Sequence, residues 1–174
     1  MAKKSILREF ITYVIIVALA ISLSLTIRIL IFEPFIVPTP SMEPTLMVRD
    51  KVLVNKLSYK FGPINRGDLV AFHSSYENKD LVKRVIALGG EEITLTTEGE
   101  IYINGQPYEE NYLPDGYSIS YQNQTIILNE NEIFVMGDNR KNSLDSRYFG
   151  TITEEDVFGK LVFIYWPPKR FGKI

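Results

Sequence analysis

The chain has 174 residues, 45% hydrophobic and 23% charged, which suits one compact domain with one additional segment. Its net charge is -2, and from Glu33 onward 15 Lys and Arg stand against 20 Asp and Glu, a balance that argues against a phosphate-binding face and against nucleic acid as a partner. The absence of cysteine excludes disulfides, thiol nucleophiles and Cys-based metal sites, and the single histidine, His73, excludes a multi-His metal cluster. Hydrolytic chemistry therefore has to come from Ser, Lys, Asp, Glu, Tyr or His73, with no metal or other cofactor expected.

From Phe10 to Ile27 the chain runs 18 residues without a charge, and after Arg28 the apolar run continues to Phe32. At about 1.5 Å per helical residue this covers a hydrocarbon core of roughly 30 Å, so residues 10–32 are expected to cross a lipid bilayer. Lys3, Lys4 and Arg8 precede the run, which keeps residues 1–9 in the cytoplasm and sends 33–174 outward. A cleaved signal peptide is the rival, since Ala18-Leu19-Ala20 spells a small-x-small site. Against it, the sequence that follows stays apolar instead of turning polar.

After the anchor comes "EPFIVPTPSMEPTLMVRD", in which Ser41 stands among Pro34, Pro38, Pro40 and Pro44. The periodicity then becomes two-residue. "DKVLVNKLSY", "GDLVAFHS", "DLVKRVIAL", "EEITLTT", "EIYINGQPY", "QTIILN", "EIFVMGD" and "KLVFIYW" read as short strands separated by Gly, Asn, Asp and Pro, so the fold class is mainly β behind one N-terminal helix. Asn104-Gly105 is a two-residue hairpin turn, because both positions of a type I′ turn need positive φ. Residues 106–124 are polar, rich in Tyr and weakly alternating, and read as a small excursion from the main sheet, with room for an extra hairpin.

One lysine is out of place. Strand alternation puts Lys83 on the same face as Leu81, Val85 and Ala87. If that face is the core, desolvation disfavours the ammonium and makes Lys83 a usable base near neutral pH. A surface lysine on an edge strand is the plainer alternative. His73, in "VAFHSSYEN", sits where a strand gives way to a polar turn, and no acidic residue in its own stretch has an obvious reason to orient it. A Ser-His hydrolase is thus the weaker catalytic reading.

Four blocks occur in a fixed order behind the anchor: "VPTPSMEPTL", "RGDLVAF", "KRVIALGG" and "GDNRKNSLDSRYFG". Together they resemble the type I signal peptidases, membrane-bound serine endopeptidases that remove signal peptides from exported preproteins, and the resemblance covers nearly the whole chain. It implies that Ser41 is the nucleophile and Lys83 the general base of a Ser/Lys dyad working through an acyl-enzyme. It also implies an oxyanion hole from the Ser41 N–H and the Thr39 hydroxyl. The chain departs from many relatives in having Pro40 where they carry glycine.

The same resemblance assigns Ser143 to orienting Lys83, and gives Arg84, Asp138, Asp145 and Arg147 the role of a structural ion-pair network, with Arg84 expected on Asp138. A calcium loop over Asp138, Asn139, Asn142 and Asp145 is the competing reading, but the ligand order and terminal Glu of an EF-hand are missing. Shallow pockets for small signal-peptide side chains are expected from Phe35, Val37, Pro38, Met42, Leu46, Val52, Leu81 and Val82, which flank the dyad in sequence or lie on its strand. The tail with Trp166, Lys169, Arg170 and Phe171 has the composition of a lipid-facing segment. A non-catalytic, membrane-tethered β domain that binds exported proteins is the alternative from another class. The self-cleaving SOS repressors share the Ser/Lys device, but they carry a DNA-binding helical domain where this chain has an anchor.

Overall fold

The computed structural model describes residues 2–114, 116–117 and 119–174. Helix α1 (Ala2–Leu30) contains an apolar window, Arg8–Arg28, none of which is buried against the rest of the protein. A helix of that length and composition without a protein partner needs an apolar solvent. The chain then turns directly into strand β1 (Phe32–Ile36), whose partner is β2 (Lys51–Asn55), and the Lys56 N–H donates to the Ile31 carbonyl at 2.8 Å.

Strand β1 was hidden in the sequence by its apolar continuity with α1 and by Pro34. It lies at the edge of the sheet, where a residue lacking an N–H is tolerated. The other elements are a short helix α2 (Ser58–Phe61), β3 (Leu69–Ser74), β4 (Lys79–Ala87), β5 (Glu92–Leu95), β6 (Ile101–Ile103), β7 (Gln106–Pro107), β8 (Gln124–Ile127), β9 (Glu132–Met136), α3 (Ser146–Phe149), β10 (Ile152–Thr153), β11 (Val157–Trp166) and β12 (Gly172–Lys173).

Two sheets result. The larger has the order β1-β2-β11-β3-β4-β9-β10, with β12 added on β11, and every pairing in it is antiparallel. The smaller has the order β7-β6-β5-β8. Alternation on β2, β3 and β4 sends Val52, Val54, Leu69, Ala71 and Val82 into one cluster, which also receives Met42 and Leu46. It sends Val70, Phe72 and Val85 into another. A third cluster joins the sheets, with Ile86, Phe134 and Met136 of the larger packed on Ile93, Leu95 and Ile101 of the smaller and on Tyr121 of the loop before β8.

The Asn104-Gly105 turn forms as its sequence requires, with φ of 52° and 74°. Within 106–124 no separate hairpin forms among the described residues. The segment opens with β7 and returns to the smaller sheet at β8, and Tyr108, Tyr112 and Ile119 pack on the joining cluster. Asp115 and Ser118 lie outside the described residues.

Candidate active site

Ser41 is carried by a 3-10 turn, Pro40–Met42, just beyond the end of β1. Pro40 stands at the start of that turn, where a missing N–H costs nothing. Both ends of the loop are tied down, because the Val37 N–H donates to the Asp50 carbonyl and the Arg49 N–H to the Val37 carbonyl, each at 2.9 Å. Met42 and Leu46 are buried in the core and act as anchors for the turn. From across the chain, Asn139 donates its backbone N–H to the Ser41 carbonyl at 3.0 Å and its side-chain amide to the Pro40 carbonyl at 3.1 Å.

Gly137 makes this approach possible. A Cβ there would lie 2.5 Å from the Ser41 carbonyl oxygen and 2.2 Å from Ser143 Oγ. The second residue of a helical turn has no intrahelical acceptor for its N–H, so the Ser41 N–H is left free for an external acceptor.

Lys83 sits inside β4 opposite Val70, only 2% exposed, and its same-face neighbours Leu81 and Val85 both belong to the cluster around Phe72. Its Nζ lies 2.8 Å from Ser41 Oγ, and Thr39 Oγ1 lies 3.3 Å from the same oxygen. Burial lowers the Lys83 pKa to about 8, against the pull of the Asp145 and Glu77 carboxylates, which favour the ammonium. Near pH 8 about half of such an amine is neutral and offers a lone pair to the Ser41 hydroxyl proton, against less than about 1% for an ordinary lysine.

Ser143 does not meet its expectation. Its Oγ is buried and makes no hydrogen bond among the described residues, so the bond to Lys83 is not formed here. Lys83 instead directs its Nζ to Ser41, and the Ser143 hydroxyl lies close beside Gly137.

The ion pairs lie around this centre. Arg84 donates to Asp138 through Nε at 2.8 Å and Nη2 at 2.6 Å, and Arg147 donates to Asp145 through Nε and Nη2, both at 2.7 Å. Asp145 also accepts the Gly137 N–H at 2.9 Å and caps α3. Both aspartates are thus committed to guanidinium groups, an arrangement that does not suit the calcium loop. Thr45, whose hydroxyl donates to Asp138, and Arg140, only 1% exposed, were not singled out in the sequence. Thr45 lies in the same block as Ser41 and Arg140 in the same block as Ser143, so block membership was the available signal.

Beside Ser41 opens a cavity of about 170 Å³, lined by Phe35, Val37, Pro38, Thr39, Met42, Leu81 and Val82 with Lys79 and Asp80 at its rim. Six of the eight residues expected in a substrate pocket are among these. Leu46 and Val52 are not: both are fully buried in the core, because the turn after Ser41 and the alternation of β2 point them inward. His73 is half exposed, and its acidic partner comes from outside the stretch that carries it. Its Nδ1 lies 3.0 Å from Asp80 Oδ1, directly across the β3–β4 pairing, a neighbour that only strand register reveals.

A family model described as signal peptidase, peptidase S26, matches residues 7–166. The chain belongs to the peptidase S26 signal peptidase family. It is 38% identical over 169 residues to a signal peptidase I of Leptolyngbya laminosa, a match that covers 91% of this chain and 80% of the relative. It is 37% identical over 165 residues to a signal peptidase I of Bacillus caldolyticus, covering 88% and 90% respectively. The crystal structure of a signal peptidase I from Enterococcus faecalis is similar with a TM-score of 0.51 at 32% identity, over 57% of this chain and 97% of that one. The S26 family is one of serine endopeptidases, and the mainly β fold behind an apolar N-terminal helix agrees with it.

Proposed function

We propose that this protein is a membrane-anchored signal peptidase that cuts signal peptides from exported preproteins with Ser41 as nucleophile and Lys83 as general base. The observation that carries the reading is the 2.8 Å approach of a buried lysine, lowered to about pH 8 in its titration, to the one serine held in a proline-stiffened turn. Neutral Lys83 takes the Ser41 proton as Oγ attacks the scissile carbonyl. The resulting ammonium then protonates the leaving amine, and the ester left on Ser41 is hydrolysed by water deprotonated at the same nitrogen.

The Ser41 N–H and the Thr39 hydroxyl are the oxyanion donors in this reading, since both lie at the nucleophile and neither is consumed by a fixed acceptor elsewhere. The apolar cavity beside Ser41 receives the small side chains before the cut. Arg84, Asp138, Asp145 and Arg147 hold the two loops that meet at Ser41. The apolar run of α1 spans the bilayer with 1–9 in the cytoplasm, a direction supported by Lys3, Lys4 and Arg8; the span ends at Leu30 and not at the expected Phe32, because Phe32 pairs with Asn55 in the larger sheet, and 33–174 lie outside as the catalytic domain.

The test is incubation of the purified protein in detergent with a preprotein bearing a small-x-small site, followed by mass determination of both products. Cleavage immediately after that site, absent in Ser41→Ala, is expected. An intact preprotein with the parent enzyme, or a cut that survives in Ser41→Ala, would sink the assignment.

A further inference from the structure

The stretch from Glu110 to Tyr121, which sequence alternation left as an excursion, grips three arginines of the site's supporting framework. Arg140 is the largest fully buried side chain among the described residues, and that stretch supplies most of its partners. Nη1 and Nη2 both donate to the Glu110 carboxylate, Nη1 donates to the Tyr121 hydroxyl at 3.0 Å, and Nη2 lies 3.5 Å from the Tyr112 hydroxyl. The Tyr112 hydroxyl in turn donates to Glu110. Arg84, already committed to Asp138, has its guanidinium 3.9 Å from the centre of the Tyr112 ring, and Arg147 lies 5.8 Å from that of Tyr121.

None of these residues lines the cavity beside Ser41, so direct contact with substrate is not their part. Their connection to Ser41 is nevertheless short. Arg140 Nε donates to the Gly137 carbonyl at 3.0 Å, Gly137 is in close contact with the Ser41 carbonyl, and Asn139 between them holds the Ser41 and Pro40 carbonyls. Arg84 follows Lys83 directly on β4, and the stacked ring and Asp138 clamp its guanidinium from two sides.

A buried ion pair adds little net stability, because desolvation of both partners offsets most of their attraction, whereas loss of one partner leaves an uncompensated charge. Here Glu110 meets Arg140 at both terminal nitrogens, a two-point contact that fixes the orientation of the guanidinium, and Arg140 in turn holds the Gly137 carbonyl, one loop away from the nucleophile.

We propose that Glu110 and Tyr112 are positioning residues for the peptidase reaction: the smaller sheet's loop fixes Arg140 and Arg84, and through them the Gly137–Asn139 loop against Ser41. The proposal rests on the Ser41/Lys83 reading above. It makes the excursion part of the catalytic apparatus, although its residues are remote from the scissile bond. Displacement of a reacting group by about 1 Å costs on the order of a hundredfold in rate, so loss of the ring from Arg84 is expected in kcat.

The experiment compares full-length parent, Tyr112→Leu, Tyr112→Phe and Glu110→Gln on a preprotein, below the melting transition of each, with rates normalised to folded protein by circular dichroism. Tyr112→Leu and Glu110→Gln are expected to lose about tenfold or more in kcat with KM within about twofold. Tyr112→Phe keeps the ring on Arg84 and is expected to recover most of the rate. Parent kcat per folded molecule in Tyr112→Leu and Glu110→Gln, or a loss that appears only as a lower folded fraction, would overturn the positioning role. If the parent fails to cleave, or Ser41→Ala cleaves, the underlying reading fails instead.

Discussion

The two members of the proposed dyad are held in opposite ways. Ser41 sits in an irregular, proline-flanked turn whose position depends on hydrogen bonds from residues almost a hundred positions away, at Asn139. Lys83 sits in the middle of a nine-residue strand, between two paired neighbours, and needs no special bonds of its own to stay there. A turn lets the nucleophile's N–H remain unpaired and its Oγ stand clear of the sheet. A strand interior, by contrast, removes water from the amine and so lowers its pKa. The nucleophile is thus prepared by backbone geometry and the base by burial.

The largest effect is expected where burial is removed from the mechanism altogether. Lys83→Ala should lower kcat/KM by at least about 10⁴-fold while the strand persists, since Val70 and Arg84 keep their register. In the parent enzyme kcat/KM should rise with pH through a limb near 8, because the pKa is depressed and only the deprotonated amine accepts the serine proton; below that pH the ammonium accumulates and the rate falls. An acid limb near pH 10 would mean that Lys83 is solvated during turnover and that burial does not tune it.

The geometric half is probed at Thr39. Thr39→Val keeps the shape but loses the hydroxyl, and should cost about 3 kcal/mol of transition-state stabilisation, on the order of a hundredfold, mainly in kcat. Thr39→Ser should restore the rate. Equal kcat for Thr39→Val and the parent would place the oxyanion on other donors.

A milder effect is expected at the brace. Asn139→Ala removes the amide bond to the Pro40 carbonyl but leaves the backbone N–H on Ser41, so a loss of about 1 kcal/mol, several-fold in kcat, is expected. A loss as large as that of Thr39→Val would show that the side chain, and not the backbone contact, sets the turn. The smallest effect belongs to His73→Ala. His73 and Asp80 are a half-exposed pair, worth little in stability after solvent screening, so steady-state rates should stay within about twofold of the parent. A severe loss there would revive the Ser-His reading.

The face that Lys83 shares with Leu81 and Val85 was legible from the sequence, because alternation along "DLVKRVIAL" ties the three together, whereas the burial of that face was settled by the packing around Phe72. The strands, the Asn104-Gly105 turn and the anchor were legible for the same reason, since each is set by a local period or a local φ requirement. Other features were closed to that reasoning. β1 depends on an edge position that excuses Pro34, and the inward direction of Leu46 depends on how the turn after Ser41 packs. The division into two sheets depends on which strands exchange hydrogen bonds, and alternation within a strand says nothing about its neighbour.

The sequence by itself determined an apolar helix followed by short strands, a serine in a stiffened turn and a lysine on an apolar face, since these follow from residue type and spacing along one stretch of chain. Only the tertiary structure decided that the lysine meets that serine, that His73 meets Asp80, and that Glu110 and Tyr112 enclose Arg140 and Arg84. Those encounters join residues 7 to 42 positions apart, and they arise from register, sheet order and the course of the loops. A side chain's own period fixes the face it occupies; what stands opposite that face is fixed by where the rest of the chain comes to lie.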